Sequence, residues 1–401
     1  MVGTSDLDGG LHPRPMDPRL CARISTNGGL VTREEVLACG LSDDQVKRLL
    51  RAGELVVVRR GVYARACDWE VWDHYVERPR QRARAAHLMT RTDHVLSHDS
   101  AALELGLAIL RPRQELVHIT RPLCRSARTR NGVKHHGARY RLEQVVEAGG
   151  IPVLDAARTA CDMAREHGIQ GGLPTFDAAM RAGVTREQFR VALEDMAGWP
   201  DVLAPRACSD LADPGAESVA ETLGRLLVKE VVGPEVEIET QFPVLTVRGV
   251  MWCDLRVGCH VFEVDGRIKY RRESEGGVAE RPIEDVLWEE KGRERDVCAE
   301  GLGMSRIIWD DFWGRNRREA VARLGQEYTR TRERHGDQLP ARLAEFAARM
   351  RGRRLRDPAA QRTGTAAQWR HEPWRPDGGP SADPPARRPS IHGAGDRSRA
   401  Q

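Results

Sequence analysis

Between Met251 and Tyr270 the chain reads MWCDLRVGCHVFEVDGRIKY, and no other stretch limits the fold as strongly. Two apolar runs of strand length, 250–257 and 260–264, flank a tight turn at Gly258. Acids interrupt both runs where the pattern asks for apolar residues: Asp254 in the first, Glu263 and Asp265 at the end of the second. Side chains alternate across a strand, so Glu263 and Asp265 share one sheet face. An unpaired charge in an apolar strand is costly to bury. Adjacent strands that converge acids on one face can instead hold a hard divalent cation through oxygen ligands.

A chain of 401 residues is too long for one ordinary domain, and two or three are expected. Hydrophobic residues at 40% supply real cores, and 30% charged residues favour a soluble protein. With 63 basic against 59 acidic residues the net charge is only +4, so bulk charge does not select a nucleic-acid partner. No apolar run approaches the roughly 18 residues that a membrane-spanning helix needs. The N-terminus shows no apolar leader core, so the expected location is cytoplasmic. Nine cysteines are scattered without a C-x-x-C pair, which argues against a structural zinc site and a disulfide framework.

Residues 1–16 are Gly- and Pro-rich and read as a disordered extension, with Met16 as an alternative start. Residues 17–66 then form a compact pattern. Cys21–Ser25 predicts a short helix, and Asn27-Gly28-Gly29 a turn. Thr32 with Glu35 is a capping box opening a helix to Cys39, which Gly40 stops. Ser42 caps a further helix over Asp43–Ala52, with Val46, Leu49 and Leu50 on its apolar face. Gln45, Lys47, Arg48 and Arg51 lie on the other face. A basic hairpin around Arg59-Arg60-Gly61 follows. Three helices and a hairpin describe a winged helix-turn-helix. Its second motif helix enters the major groove and its wing touches phosphate. Gln45, Lys47, Arg48, Arg51, Arg59 and Arg60 are therefore the candidate DNA contacts, unless the domain serves protein contact instead.

This segment resembles the winged-helix domain of AbiEi-family antitoxins of type IV toxin–antitoxin systems. Gly29-Leu30-Val31-Thr32, Gly40-Leu41-Ser42, Leu49–Leu55 and Arg59-Arg60-Gly61-Val62-Tyr63 carry the resemblance. It implies DNA binding and promoter autoregulation, with a cognate toxin as partner.

Asp68 to Arg84 reads as a connector whose basic run is a solvated face. Residues 85–200 read as a mixed α/β region similar to the centre of actinobacterial AbiEi-like proteins, on Ser97-His98, Ala101-Ala102, Pro152 and Ala157-Arg158-Thr159. Ile151–Asp155 leads into a helix over Ala156–His167. Ser97-His98-Asp99-Ser100 suggests a Ser/His/Asp triad, but sequence neighbours rarely converge into one and no G-x-S-x-G elbow is present. His98 is expected to satisfy local hydrogen bonds. His135-His136 lacks the i, i+4 spacing or nearby cysteines of a metal site.

Residues 214–313 read as helix, three strands, helix, strand. Glu217 and Glu221 share a face of the first helix. This order resembles the PD-(D/E)xK nuclease fold, in the branch related to very-short-patch repair endonucleases. Glu221–Arg225, Cys253-Asp254-Leu255 and Phe262–Gly266 carry the resemblance, supported by Lys269-Tyr270, Glu290-Lys291 and Ile307–Asp311. It implies Mg²⁺ (or Mn²⁺) on Asp254 and Glu263, with Glu221 completing the site. Asp265 departs from the family, which has lysine there. Lys269 supplies the missing cation only if the strand continues past Gly266. The expected fold class is thus multidomain α+β and α/β: a winged helix-turn-helix, a mixed α/β middle and a restriction-endonuclease-like α/β domain. A basic helical segment over 314–355 and a disordered tail over 356–401 follow. Two readings stay open: a metal-dependent DNA endonuclease with its own targeting domain, or a regulator of antitoxin type with a catalytically inactive nuclease fold.

Overall fold

The computed structural model describes residues 16–122, 127–265 and 283–350, with side chains from 291 onward in the last segment. The expected terminal extension and tail, and Lys269, lie outside the described residues.

The N-terminal domain builds from its caps. Asp17 accepts the Arg19 amide at 2.8 Å and opens α1 (Pro18–Thr26). After β1 (Val31–Thr32), the Thr32–Glu35 capping box opens α2 (Arg33–Ala38) and the Ser42–Gln45 box opens α3 (Asp43–Arg51). Gly40, at φ 90°, makes the turn between these helices in a conformation that suits glycine. The hairpin β2 (Leu55–Arg59) and β3 (Val62–Arg65) joins β1 in a sheet of order β1-β3-β2. Leu20, Ile24, Val36, Val46, Leu55 and Tyr63 form the core beneath it.

The stretch read as a connector is instead helical: α4 (Ala66–Val71) and α5 (Glu77–Met89). Its arginines are not a solvated run. Arg80 and Arg84 both reach the buried Glu104, at 3.2 and 2.8 Å, while Ala83, Ala85 and Ala86 are buried between them.

The middle region contains β4 (Val95–Leu96), α6 (His98–Glu104), β5 (Val117–Arg121), β6 (Arg128–Arg130), β7 (Val133–Gly137), β8 (Val145–Ala148) and β9 (Ile151–Leu154). They form a mixed sheet of order β6-β7-β5-β4-β9-β8. Asp155 caps α7 (Ala156–Arg181) through the Arg158 amide at 2.7 Å. The helix expected to end at His167 kinks at Gly168, φ 69°, and continues. It resumes because Leu173, Phe176 and Ala179 are all buried in a core with Phe189. That core is completed by α8 (Arg186–Asp195) and α9 (Leu203–Leu211).

The last domain follows the expected order: α10 (Val219–Val232), β10 (Glu239–Thr246), β11 (Gly249–Val257), β12 (His260–Asp265), α11 (Ile283–Ala299) and β13 (Gly303–Ile308). The sheet runs β10-β11-β12-β13, parallel only between β12 and β13. Gly224 lets α10 lie close on the sheet: a Cβ there would fall 2.7 Å from Val264 Cγ2. The basic C-terminal segment is helical, as α12 (Gly314–His335) and α13 (Ala341–Met350). The middle region and α10 are joined by a buried ion pair, Asp177 with Arg225, whose closest approach is 2.8 Å. Among the described residues no helix is long and apolar enough to cross a membrane.

Candidate nucleic-acid interface and acidic cluster

The outer face of α3 carries the cations foreseen from the sequence, but its charges are not uniform. Lys47, Arg48 and Arg51 are exposed. Asp43 and Asp44 occupy the first turn, where the helix dipole favours them. Each acid has its own cation. Arg33 donates to Asp43 at 2.8 Å, and Lys47 to Asp44 at 3.0 Å. The Gln45 side-chain oxygen accepts the Ser42 amide at 2.7 Å, so only its amino group is left to face a ligand. The positive surface therefore lies towards the C-terminal half of α3.

At the wing, Arg60 is exposed, while Arg59 turns inward and donates to the Asn131 carbonyl at 3.2 Å. This contact joins the wing to the β6–β7 hairpin, where Arg128 and Arg130 are exposed. Burial lowers the His135 pKa first, and Arg128, Arg121 and Arg59 around it lower it further. The basic surface thus extends past the wing onto a hairpin that sequence reading passed over. Its signal was present in the spacing of Arg121, Arg128 and Arg130.

In the C-terminal domain the acids separate into two groups. Ser218 caps α10 and accepts the Glu221 amide at 3.0 Å, placing Glu221 in the first turn. The Glu221 carboxyl accepts from the Glu217 amide at 2.9 Å and from Gln241 Nε2 at 3.0 Å. Burial, and then neighbouring Asp254, push Glu221 up to about 8. Glu221 is thus an acid of this turn on which the Asp254 charge acts. Asp254 in turn accepts the Val264 amide at 2.8 Å.

A local break positions this pair. Cys253 and Leu255 would share a face in a regular strand. Here Leu255 packs with α10, whereas Cys253 joins Phe242 and Val244 in the opposite core. The ladder pairs Thr240 with Leu255 and Phe242 with Cys253, and Gln241 between them has φ 50°. The sheet changes face at Gln241 and Asp254, beside the N-terminus of α10.

Glu263 and Asp265 belong to the second group. Asp265 pairs with Arg306 at 2.8 Å, and Glu263 lies 3.8 Å from Arg293. Among the described residues, Glu221, Asp254 and Glu263 do not bring one oxygen each within 4.8 Å. Asp254 is near enough to Glu221 to act on its carboxyl. Mg²⁺ is commonly held by one or two carboxylates plus water and phosphate, and a cation on Glu221 and Asp254 would have to displace the proton that Glu221 keeps up to about pH 8.

The Ser97-His98-Asp99 run places its side chains on different partners. His98 faces Ser97 at 3.0 Å, but Asp99 faces His167 at 2.8 Å and His118 at 3.4 Å. Sequence reading missed that His98, His118 and His136 come together, each with a ring nitrogen within 4.8 Å of the others.

No curated protein matches this chain. A crystal structure of the RV2827C protein from Mycobacterium tuberculosis is similar over 48% of this chain and 75% of its own, at 16% identity and TM-score 0.32. Likeness at that level carries no argument. Residues 20–66, which hold α1 to β3, match the family described as transcriptional regulator, AbiEi antitoxin, so the N-terminus carries an antitoxin-family domain.

Proposed function

We propose that this protein is a DNA-binding transcriptional regulator of antitoxin type, docking α3 in the major groove with its wing on the backbone. The observation that carries the reading is the exposed cationic face of α3, on an N-terminal domain that matches the antitoxin regulators. Lys47, Arg48 and Arg51 on α3, Arg60 on the wing, and Arg128 and Arg130 beyond it supply phosphate contacts. Control of its own promoter and a cognate toxin partner belong to the same proposal, on the strength of that family match.

An Arg48→Ala/Arg51→Ala/Arg60→Ala variant tests it. Its duplex-DNA binding is expected to weaken, and the slope of log K against log salt to shrink by about three, near one per lost phosphate contact. Fluorescence anisotropy at several salt concentrations reads both. Unchanged affinity and slope would exclude this face.

A second reading rests on Glu221 and Asp254: the C-terminal domain is of PD-(D/E)xK type and hydrolyses DNA phosphodiesters with Mg²⁺. A cation bound there would supply charge neutralisation and a more acidic water. On this chain's side, Glu221 and Asp254 would hold it, and Asp254 is kept in place by the Val264 amide. Asp265 sits where the related nucleases carry lysine, and Arg306 occupies it. Nicking of supercoiled plasmid with Mg²⁺ or Mn²⁺, beside an Asp254→Ala/Glu263→Ala double variant, separates the two readings. Activity lost in the variant supports cleavage. A folded protein that shifts DNA without nicking it leaves the regulator alone.

A further inference from the structure

Three histidines far apart in sequence meet in the middle region. His98 opens α6, His118 lies on β5 and His136 on β7. The β5–β7 register pairs His118 with Lys134, so His136 lies two residues further along on the same face. His118 Nδ1 and His136 Nε2 are 3.0 Å apart. The His98 ring stacks on His136 with centroids 3.8 Å apart.

We propose that His98, His118 and His136 bind one zinc-type transition-metal ion, with a fourth coordination position left for water or another ligand. Neither the regulator reading nor the nuclease reading uses this site. Imidazole is the ligand type suited to such ions, and three histidines with an open fourth position form a known zinc arrangement.

Three independent observations support the assignment. The first is spacing. Two nitrogens each 2.0–2.1 Å from a tetrahedral ion stand about 3.4 Å apart. The 3.0 Å pair and the 4.8 Å limit on the full set are near that value, and the His98 ring, now stacked on His136, turns out of the stack to direct its nitrogen at the same ion. The second is orientation by outer partners, which fixes the ring nitrogen left for a metal. His118 turns Nε2 to the Asp99 carboxylate at 3.4 Å and leaves Nδ1 for the centre. His98 turns Nδ1 to Ser97 Oγ at 3.0 Å, and Thr120 donates to that same oxygen at 2.8 Å, leaving Nε2 of His98 inward. The third is backbone strain. His98 has φ 50°, a left-handed conformation uncommon outside glycine that clusters at functional sites.

The charge state agrees. Burial holds His98 well below the ordinary histidine range and, with His118 next in effect, brings His136 down to about 3. Burial lowers His118 too, against the raising effect of Asp99. Each shift is towards the neutral imidazole, the form that binds metal. A bound ion would tie α6 to β5 and β7. The turn that ends β7's hairpin at Asn131 is the one that Arg59 of the wing contacts.

The test uses the full chain stripped with chelator, reloaded with Zn²⁺ and dialysed. One equivalent retained per chain is expected, with affinity reduced by at least about 100-fold in His136→Gln and unchanged in the neighbouring His135→Gln. Should His136→Gln fail to fold, Co²⁺ added to the wild type decides the matter alone. Intense visible bands of a four-coordinate ion support the site, and a weak six-coordinate spectrum overturns it. Folded wild type that retains no Zn²⁺, or His136→Gln that binds as the wild type does, also overturns it.

Discussion

Asp177→Ala is expected to destabilise the protein by about 3–5 kcal/mol, because it strands a buried guanidinium. Asp177 lies on α7 and is 1% exposed at the side chain, against 9% for Arg225 on α10. Arg225 donates to both Asp177 oxygens, at 3.0 and 2.8 Å, and Thr222 donates a third bond at 2.7 Å. The Asp213 amide adds a fourth at 2.8 Å. Burial pushes the Asp177 carboxyl up, and Arg225 opposes it. The ion pair thus offsets a desolvation cost rather than adding net stability. An Asp177→Leu/Arg225→Met double variant should therefore recover most of what the single variant loses. Urea unfolding of the three proteins measures this. A single variant within about 1 kcal/mol of the wild type would show that the pair does not join the two regions.

Glu221→Gln is expected to be more stable than the wild type at high pH, with the advantage growing from near zero at pH 4. The sign follows from proton linkage. Below the ordinary value of 4.5 both folded and unfolded chains hold the proton. Between 4.5 and about 8 the unfolded chain releases a proton that the folded chain keeps, so stability falls as pH rises. Above about 8 the penalty is complete. Glutamine imitates the protonated acid and escapes it. Unfolding midpoints at pH 5, 7 and 9 check this prediction. A difference between the two proteins that does not change with pH would mean that Glu221 is not held protonated beside Asp254.

The N-terminal domain was legible because its determinants are local. Two capping boxes, the glycine after α2 and the apolar face of α3 each lie within a few residues. The order of helices and strands along the last domain was legible for the same reason. The acids were legible as residues interrupting apolar strands, while their surroundings were not. A period-2 rule groups Glu263 with Asp265, but cannot foresee that Gln241, on another strand, adopts φ 50° where the sheet changes face at Asp254. The connector was misread because a run of arginines carries no sign of the buried Glu104 that pairs with two of them. The histidines were dismissed on a rule for ligands within one helix. Theirs come from a helix and two strands, which only the sheet register brings together.

In the proposed function the winged helix binds duplex DNA through α3 and its wing. The most direct test is an anisotropy titration of the full chain with a labelled duplex taken from upstream of its own gene, repeated from low to physiological salt. Saturable binding that weakens steeply with salt is expected, with a log–log slope of roughly −5 to −6 for the six cations proposed to contact phosphate. Folded protein that fails to bind at low salt, or that binds with no salt dependence, would contradict it.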